Sequence, residues 1–369
     1  MFKFGRNNLT CCHYDNGQAA KNETLMKKVT KMARSLEEDI SINNDNDVLV
    51  SIICAAYNHE KYISDALSSF VSQECSFDFE VLVSDDASTD GTADIIRKFE
   101  LAYPEIIKPV YYETNQWSQG KAASGSLMEA ASGKYIAICE GDDFWIDSKK
   151  LEAQIRYLEE HQDCTFCFSN AKYLDAQSGK FIEGSMLPIN ELDESILCNK
   201  CNLSTSDMLQ LAFIPTASFV FRKKDWQQRP IFKKGTFMGD RYWQIIMTEF
   251  GYAHYFDSDM VAYRVNNPQS AMGRREADSS KAASAKRGYI LLNQEFDNYT
   301  NGRYHEIIES VQVGYEFSLY MITQDYKALH AKKYARYAKS LSKKSYLGYL
   351  IRVYMPAMAR LVDRKKLSN

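Results

Sequence analysis

No apolar run in this sequence approaches the roughly 18 residues that a membrane-spanning helix needs. The longest candidate, Leu209 to Phe221, is broken by Gln210, Pro215, Thr216 and Ser218. An apolar segment is also missing at the start, where Met1-Phe-Lys-Phe-Gly-Arg6 runs straight into polar residues. No secretory signal is expected on that ground. The sequence contains no G-x-G-x-x-G and no G-x-x-x-x-G-K-[ST]. Dinucleotide and P-loop sites therefore lack the glycines that cradle phosphate. Excess positive charge is absent too: 45 Lys and Arg stand against 48 Asp and Glu, a net charge of -3. That balance argues against a general nucleic-acid binder.

A disulfide framework is also lacking. Nine cysteines is an odd number, and their spacing suggests no stapled scaffold in a chain of 369 residues. Reduced thiols in a cytoplasmic protein are the simplest account. Cys11-Cys12-His13 is not read as a metal site. Two C-x-x-C pairs, Cys164/Cys167 and Cys198/Cys201, invite a zinc reading. Cys164 to Phe168 reads as a strand, and residues three apart on a strand point to opposite faces. Buried or loop thiols are therefore expected at both pairs.

With 45% hydrophobic and 25% charged residues, the chain can form a globular core. Its length suits a large domain with appendages. Its central stretch is Gly133 to Asp147. Tyr135 to Cys139 reads as a buried strand that ends abruptly in Glu140, Gly141, Asp142 and Asp143. Three carboxylates in four residues repel one another and lose solvation together. A hard divalent cation such as Mg²⁺ or Mn²⁺ would offset that cost. An acidic turn capping the next helix, Lys149 to Glu160, explains the cluster equally well.

Two further segments read as buried strands, the first ending in a small-residue turn and the second in carboxylates. Val48 to Asn58 reads as a buried strand closing in Ala55-Ala-Tyr57. Phe79 to Ser84 is the next strand, followed by Asp85-Asp-Ala-Ser-Thr-Asp-Gly91. Helical spacing falls between them, at His59 to Ser72, at Thr92 to Leu101 and at Lys121 to Ser132. Pro109 to Tyr112 is a third short strand. The alternation predicts a doubly wound, mostly parallel, Rossmann-like α/β sheet. Such sheets bind ligands at the carboxyl ends of their strands.

The ordered motifs V-S-I-I-C-A-A-Y-N, V-S-D-D-A-S-T-D-G-T and G-K-Y-I-A-I-C-E-G-D-D-F-W resemble those of family 2 glycosyltransferases with the GT-A fold, of the bacterial surface-polysaccharide type. The likeness runs from residue 48 to about 270. It implies an inverting, metal-dependent transferase that uses Mn²⁺ or Mg²⁺ and a nucleotide-sugar donor. On it, Ala55 and Tyr57 lie beside the nucleobase and Asp86 accepts the imide N–H of a uracil. Asp85 supports the strand end, Asp142 binds the ribose or lies next to the metal, and Asp143 is the direct metal ligand. Glu140 stands where the family has aspartate, and its role is open. Asp90-Gly91 reads as a turn.

Farther along, Cys164 to Asn170 and Phe213 to Arg222 read as strands, with residues 175–206 loop-like between them. Asp240, after Gly239, opens a helix whose apolar face is Trp243, Ile246 and Met247. An N-cap explains an aspartate there. The resemblance implies instead that Asp240 is the general base that deprotonates the acceptor hydroxyl. Tyr263-Arg264 also matches the family order, and Arg264 could contact the donor diphosphate or form a surface ion pair.

Three divisions follow. Residues 1–46 are an N-terminal extension with one amphipathic helix, carrying Leu25, Val29, Met32, Leu36 and Ile40. Residues 47–272 are the GT-A catalytic domain. Residues 273–369 are a helical C-terminal region with a basic, aromatic, amphipathic tail. That tail can contact the inner leaflet of a membrane or pack on protein, and suits a peripheral protein at the cytoplasmic face. The expected acceptor is a glycan or a lipid-linked sugar, and oligomerisation stays open. A sugar nucleotidyltransferase and a non-catalytic nucleotide-sugar binding protein are the alternatives. Ala55 to Glu60 is neither Gly-rich nor basic, which disfavours the first. Intact Asp86, Asp143 and Asp240 disfavour the second.

Overall fold

The computed structural model describes residues 48–359 except 234, 237–238, 269, 271–272, 274–277 and 357–358. The helix expected within residues 1–46 and the last residues of the basic tail lie outside the described residues.

Short β-branched and apolar runs form the centre of one sheet. β1 (Val50–Ala56) pairs in parallel with β2 (Phe79–Asp85) on one side and with β4 (Tyr135–Ile138) on the other. A strand paired on both edges and covered on both faces must be apolar throughout, and the core residues of β1 and β4 are almost fully buried. β3 (Ile107–Tyr111) closes one edge. Gly133 precedes β4 because a Cβ there would stand 2.6 Å from the backbone nitrogen of Ser51.

Beyond β4 the sheet continues through β5 (Phe144–Trp145), β6 (Cys164–Asp175), β9 (Val220–Arg222) and β10 (Tyr252–Val265). The order is β3-β2-β1-β4-β9-β6-β10-β5, with β7 (Lys180–Ser185) on β6 and β8 (Asn202–Leu203) on β10. β9 runs antiparallel to both β4 and β6, and β6 runs parallel to β10. The carboxyl ends of β1, β2, β4, β6 and β10 therefore share one edge.

Helices α1 (Ile63–Val71), α2 (Thr92–Ala102), α3 (Ala123–Ala130) and α4 (Lys150–Glu160) follow β1, β2, β3 and β5 in the chain. Two apolar clusters pack on the sheet. The expected loop at 175–206 is more ordered than its polar composition suggests. It contains β7, α5 (Glu191–Leu197), β8 and the start of α6 (Thr205–Gln210). Asn190 caps α5 and a Ser204–Asp207 capping box starts α6, so polar residues there mark helix starts. The strand expected from Phe213 to Arg222 shortens to β9, because Thr216–Ser218 forms a 3-10 turn first. After α7 (Lys223–Gln227) and α8 (Asp240–Ile246), the C-terminal region is helical: α9 (Ser279–Tyr299), α10 (His305–Thr323), α11 (Lys332–Ser340) and α12 (Lys343–Tyr354).

Cys164 and Cys167 are buried free thiols, as expected, but they do not point to opposite faces. Their sulfurs lie 3.9 Å apart, both buried. A bulge at Thr165, where the pairing steps from Tyr252–Cys164 to Ala253–Phe166, adds one residue and turns both side chains to one face. Cys198 and Cys201 are exposed.

Candidate active site at the sheet edge

The site is assembled by two loops that lock together beyond β1 and β2. Asn58, at a φ of 57°, accepts the N–H of Thr89 at 2.8 Å and donates its own N–H to Ser88 Oγ at 2.9 Å. His59 N–H donates to Thr92 Oγ1, and Glu60 N–H to Asp90. Asp90 thus serves the turn, accepting the N–H of Thr92 at 3.0 Å. Ala55 and Tyr57 lie half-buried at the end of β1.

Asp86 is buried, and its N–H donates to Ala56 at 2.9 Å. Its carboxylate accepts the backbone N–H groups of Gln116 at 2.5 Å and Trp117 at 3.2 Å. A carboxylate has about four acceptor positions, so these two bonds leave capacity for a third donor. They also hold Trp117, 64% exposed, beside Asp86. In sequence Trp117 belongs to no motif, and its signal is an aromatic within the polar run Asn115 to Gly120. Asp85 accepts the Ser88 N–H at 3.2 Å, while its Oδ1 and the Ser84 hydroxyl are buried with no hydrogen-bond partner among the described residues.

The acidic turn lies against β1. Gly141 N–H donates to Ala55 at 3.1 Å. Only glycine fits, because a Cβ would meet His59 Nδ1 at 2.9 Å, Ile63 at 3.0 Å and Ala56 at 3.1 Å. Downstream, Trp145 pins the turn. Its ring packs edge-on against Phe70 and its indole N–H donates to Ala217 at 2.7 Å.

Arg264 braces the same turn from β10. Its backbone N–H donates to Asp143 Oδ1 at 2.7 Å, and its guanidinium donates to the Asp142 carbonyl at 2.5 Å. The guanidinium also pairs with Asp65 and stacks on Tyr62 and Phe144, at 4.9 and 4.8 Å. Arg264 is buried, so the expected ion pair exists but is not a surface one on the arginine side.

The electrostatics are those of crowded carboxylates. Loss of solvation, then the charge of Asp142, then that of Asp240 push Glu140 up to about 8. Burial and Asp142 raise Asp143 well above the usual carboxylate range. The Tyr263 phenol is raised by burial and by the charges of Asp143, Glu140, Asp142 and Asp240. All four carboxylates therefore act on one small volume. Asp240 does not cap its helix: Gly239 holds that position, and Asp240 Oδ1 accepts the N–H of Arg241 at 2.8 Å. Arg241 is buried and anchors α8 by donating to the carbonyls of Met208 and Leu211, each at 2.9 Å.

No three His, Cys, Asp or Glu side chains among the described residues form a ready-made metal cage. The donor set fits Mg²⁺ or Mn²⁺ in another way, since such ions use one or two carboxylates and take phosphate oxygens for the rest. Among the described residues Asp143 is hydrogen-bonded through Oδ1, and mutual repulsion within the turn would be relieved by a cation.

The Glycosyl transferase family 2 profile matches residues 51–225. An uncharacterized protein of Mycobacterium tuberculosis is 35% identical over 175 residues, which cover 47% of each chain. The Escherichia coli UDP-Glc:alpha-D-GlcNAc-diphosphoundecaprenol beta-1,3-glucosyltransferase WfgD is 33% identical over 150 residues, 40% of this chain and 56% of the relative. The chain thus spans about half the length of the curated relatives it matches. The mannosyltransferase PcManGT from Pyrobaculum calidifontis, solved with GDP-Man and Mn²⁺, superposes with a TM-score of 0.51. The superposition covers 89% of this chain and 93% of that one at 14% identity, a likeness of fold. Residues 51–225 are therefore similar in sequence to glycosyl transferase family 2, and the chain has a GT-A fold.

Proposed function

We propose that the protein transfers a sugar from a nucleotide-sugar donor to a hydroxyl of a glycan or lipid-linked acceptor, in surface-polysaccharide synthesis at the cytoplasmic face of a membrane. The observation that carries this reading is the convergence on one sheet edge of Tyr57, Asp86 and the Asp142-Asp143 turn, with Asp240 felt electrostatically at Glu140.

In this reading Ala55 and Tyr57 form the nucleobase floor. Asp86 accepts the base N–H while it holds the Gln116-Trp117 loop. The name of WfgD carries UDP-Glc and favours uracil, whereas PcManGT was solved with GDP-Man. Asp142 faces the ribose. Asp143 would hold the Mn²⁺ or Mg²⁺ ion, whose charge would offset that of the departing diphosphate. Arg264 belongs to the donor site as the brace that fixes the Asp143 carboxylate and the Asp142 main chain. Asp240 takes the proton of the acceptor hydroxyl as its oxygen attacks the anomeric carbon, and the anomeric configuration inverts. No covalent enzyme intermediate is needed for that single displacement.

Thermal shift with UDP-, GDP- and CMP-sugars, with and without Mn²⁺, tests the reading. It expects a metal-dependent rise in melting temperature with one nucleotide class. No shift with any of them would remove the donor site from this edge. Pyrophosphate release from a nucleoside triphosphate would favour a nucleotidyltransferase.

A further inference from the structure

The last two described helices carry charge of one sign. From Tyr326 to Val362 the sequence has six lysines, three arginines and no Asp or Glu. Glu316 of α10 offsets one of them, pairing with Lys333 at 2.6 Å. Lys332, Arg336, Lys339, Lys343 and Lys344 are exposed and make no ion pair among the described residues.

α12 is apolar on two sides. Tyr346, Tyr349, Leu350 and Val353 face inward and pack with Phe317 and Tyr334 in a separate core cluster. Leu347 and Tyr354, one turn on either side of half-buried Ile351, follow Lys344 at helical spacing on the outer side. Leu347 is 58% exposed, Tyr354 68% and the following Met355 50%. No helix among the described residues is long and apolar enough to cross a membrane.

We propose that the outer face of α11 and α12 docks on an anionic phospholipid bilayer. The lysines at the start of α12 lie against headgroup phosphates, while Leu347 and Tyr354 enter the interface. Aliphatic and tyrosine side chains beside lysines suit that boundary, where a wet, charged layer meets hydrocarbon. A second copy of this chain fits less well, because a two-fold contact through this face would set like charges against each other. The proposal rests on the part of that reading that sets the protein at a membrane face, and vesicle binding without donor or acceptor tests it apart from sugar transfer.

The test is sedimentation of the full chain with vesicles of phosphatidylcholine, alone or mixed with phosphatidylglycerol. Binding to the mixed vesicles alone is expected, weakening as salt is added. Lys343→Gln with Lys344→Gln should lower the partition about thirtyfold. Leu347→Asn with Tyr354→Ser should lower it at constant charge. Both variants should keep the melting temperature of the parent, which separates lost docking from lost fold. Equal binding to neutral and anionic vesicles, or no binding to either, would overturn the proposal. So would a vesicle-free dimer abolished by the same variants, which would assign the face to a second copy. Selective sedimentation with RNA, unaffected by vesicles, would assign it to nucleic acid.

Discussion

The backbone N–H of Arg264 donates to Asp143 Oδ1 at 2.7 Å, although 121 residues separate the two in sequence. Through this bond β10, the last described strand in the chain, sets the orientation of a carboxylate in the acidic turn between β4 and β5. The guanidinium of the same residue holds the Asp142 carbonyl. One arginine therefore fixes two consecutive positions of the acidic turn.

Replacing Arg264 by alanine should weaken metal-dependent nucleotide-sugar binding about tenfold or more, the worth of one charge-assisted hydrogen bond. The Asp143 contact survives in this variant because it uses the backbone. Asp65→Asn should cost less, since the Asp65 side chain is 56% exposed. Titration calorimetry on both variants and on their combination checks the coupling. Strictly additive losses would show that Asp65 does not act through Arg264.

Gly141→Ala should destabilise the fold by about 1–3 kcal/mol, the usual cost of overpacking. The added methyl has His59, Ile63 and Ala56 within 3.1 Å. Relief by movement of the turn would also displace Asp142 and Asp143. Denaturant unfolding and donor titration should therefore fall together; an unchanged midpoint would mean that the turn has room to spare.

Stability should fall as pH drops from about 6.5 towards 4, partly through His254. Its ring stacks on Tyr157 at 3.6 Å, and burial, with His161 adding, lowers it from 6.5 to about 4. Between those values the folded imidazole is neutral and the unfolded one is charged. The unfolded state then binds more protons, so acid favours it. His254→Gln should flatten this part of the stability profile, measured as the denaturation midpoint against pH. An identical slope in the variant would place the effect elsewhere.

Much of the sheet and of its carboxyl edge was legible in sequence because buried parallel strands leave continuous apolar runs, as at Val50–Ala56 and Tyr135–Ile138. The carboxylates Asp85-Asp86 and Asp142-Asp143 stood at the ends of β2 and β4, which the fold then brought to one edge with β1. What sequence could not show depended on tertiary partners. Arg264 read as a residue at a strand end, but its partner Asp65 lies 199 residues away. Asp86 read as a base-reading group, yet the loop at Gln116 and Trp117 also uses it. The Cys164–Cys167 approach hung on a single bulged residue, which reverses the alternation on which the strand argument rested. Polar composition at 175–206 suggested a loop because capping residues look like turn residues when their helices are short.

The central claim is that Asp240 removes the acceptor proton in a site whose donor half stands without it. The direct measurement is nucleoside diphosphate release from the donor, in the presence of acceptor, by the parent protein and by Asp240→Asn, with donor affinity measured on both. The account predicts unchanged donor affinity and a rate lower by about 10²–10⁴, the usual contribution of a positioned base. Full turnover in Asp240→Asn would contradict it.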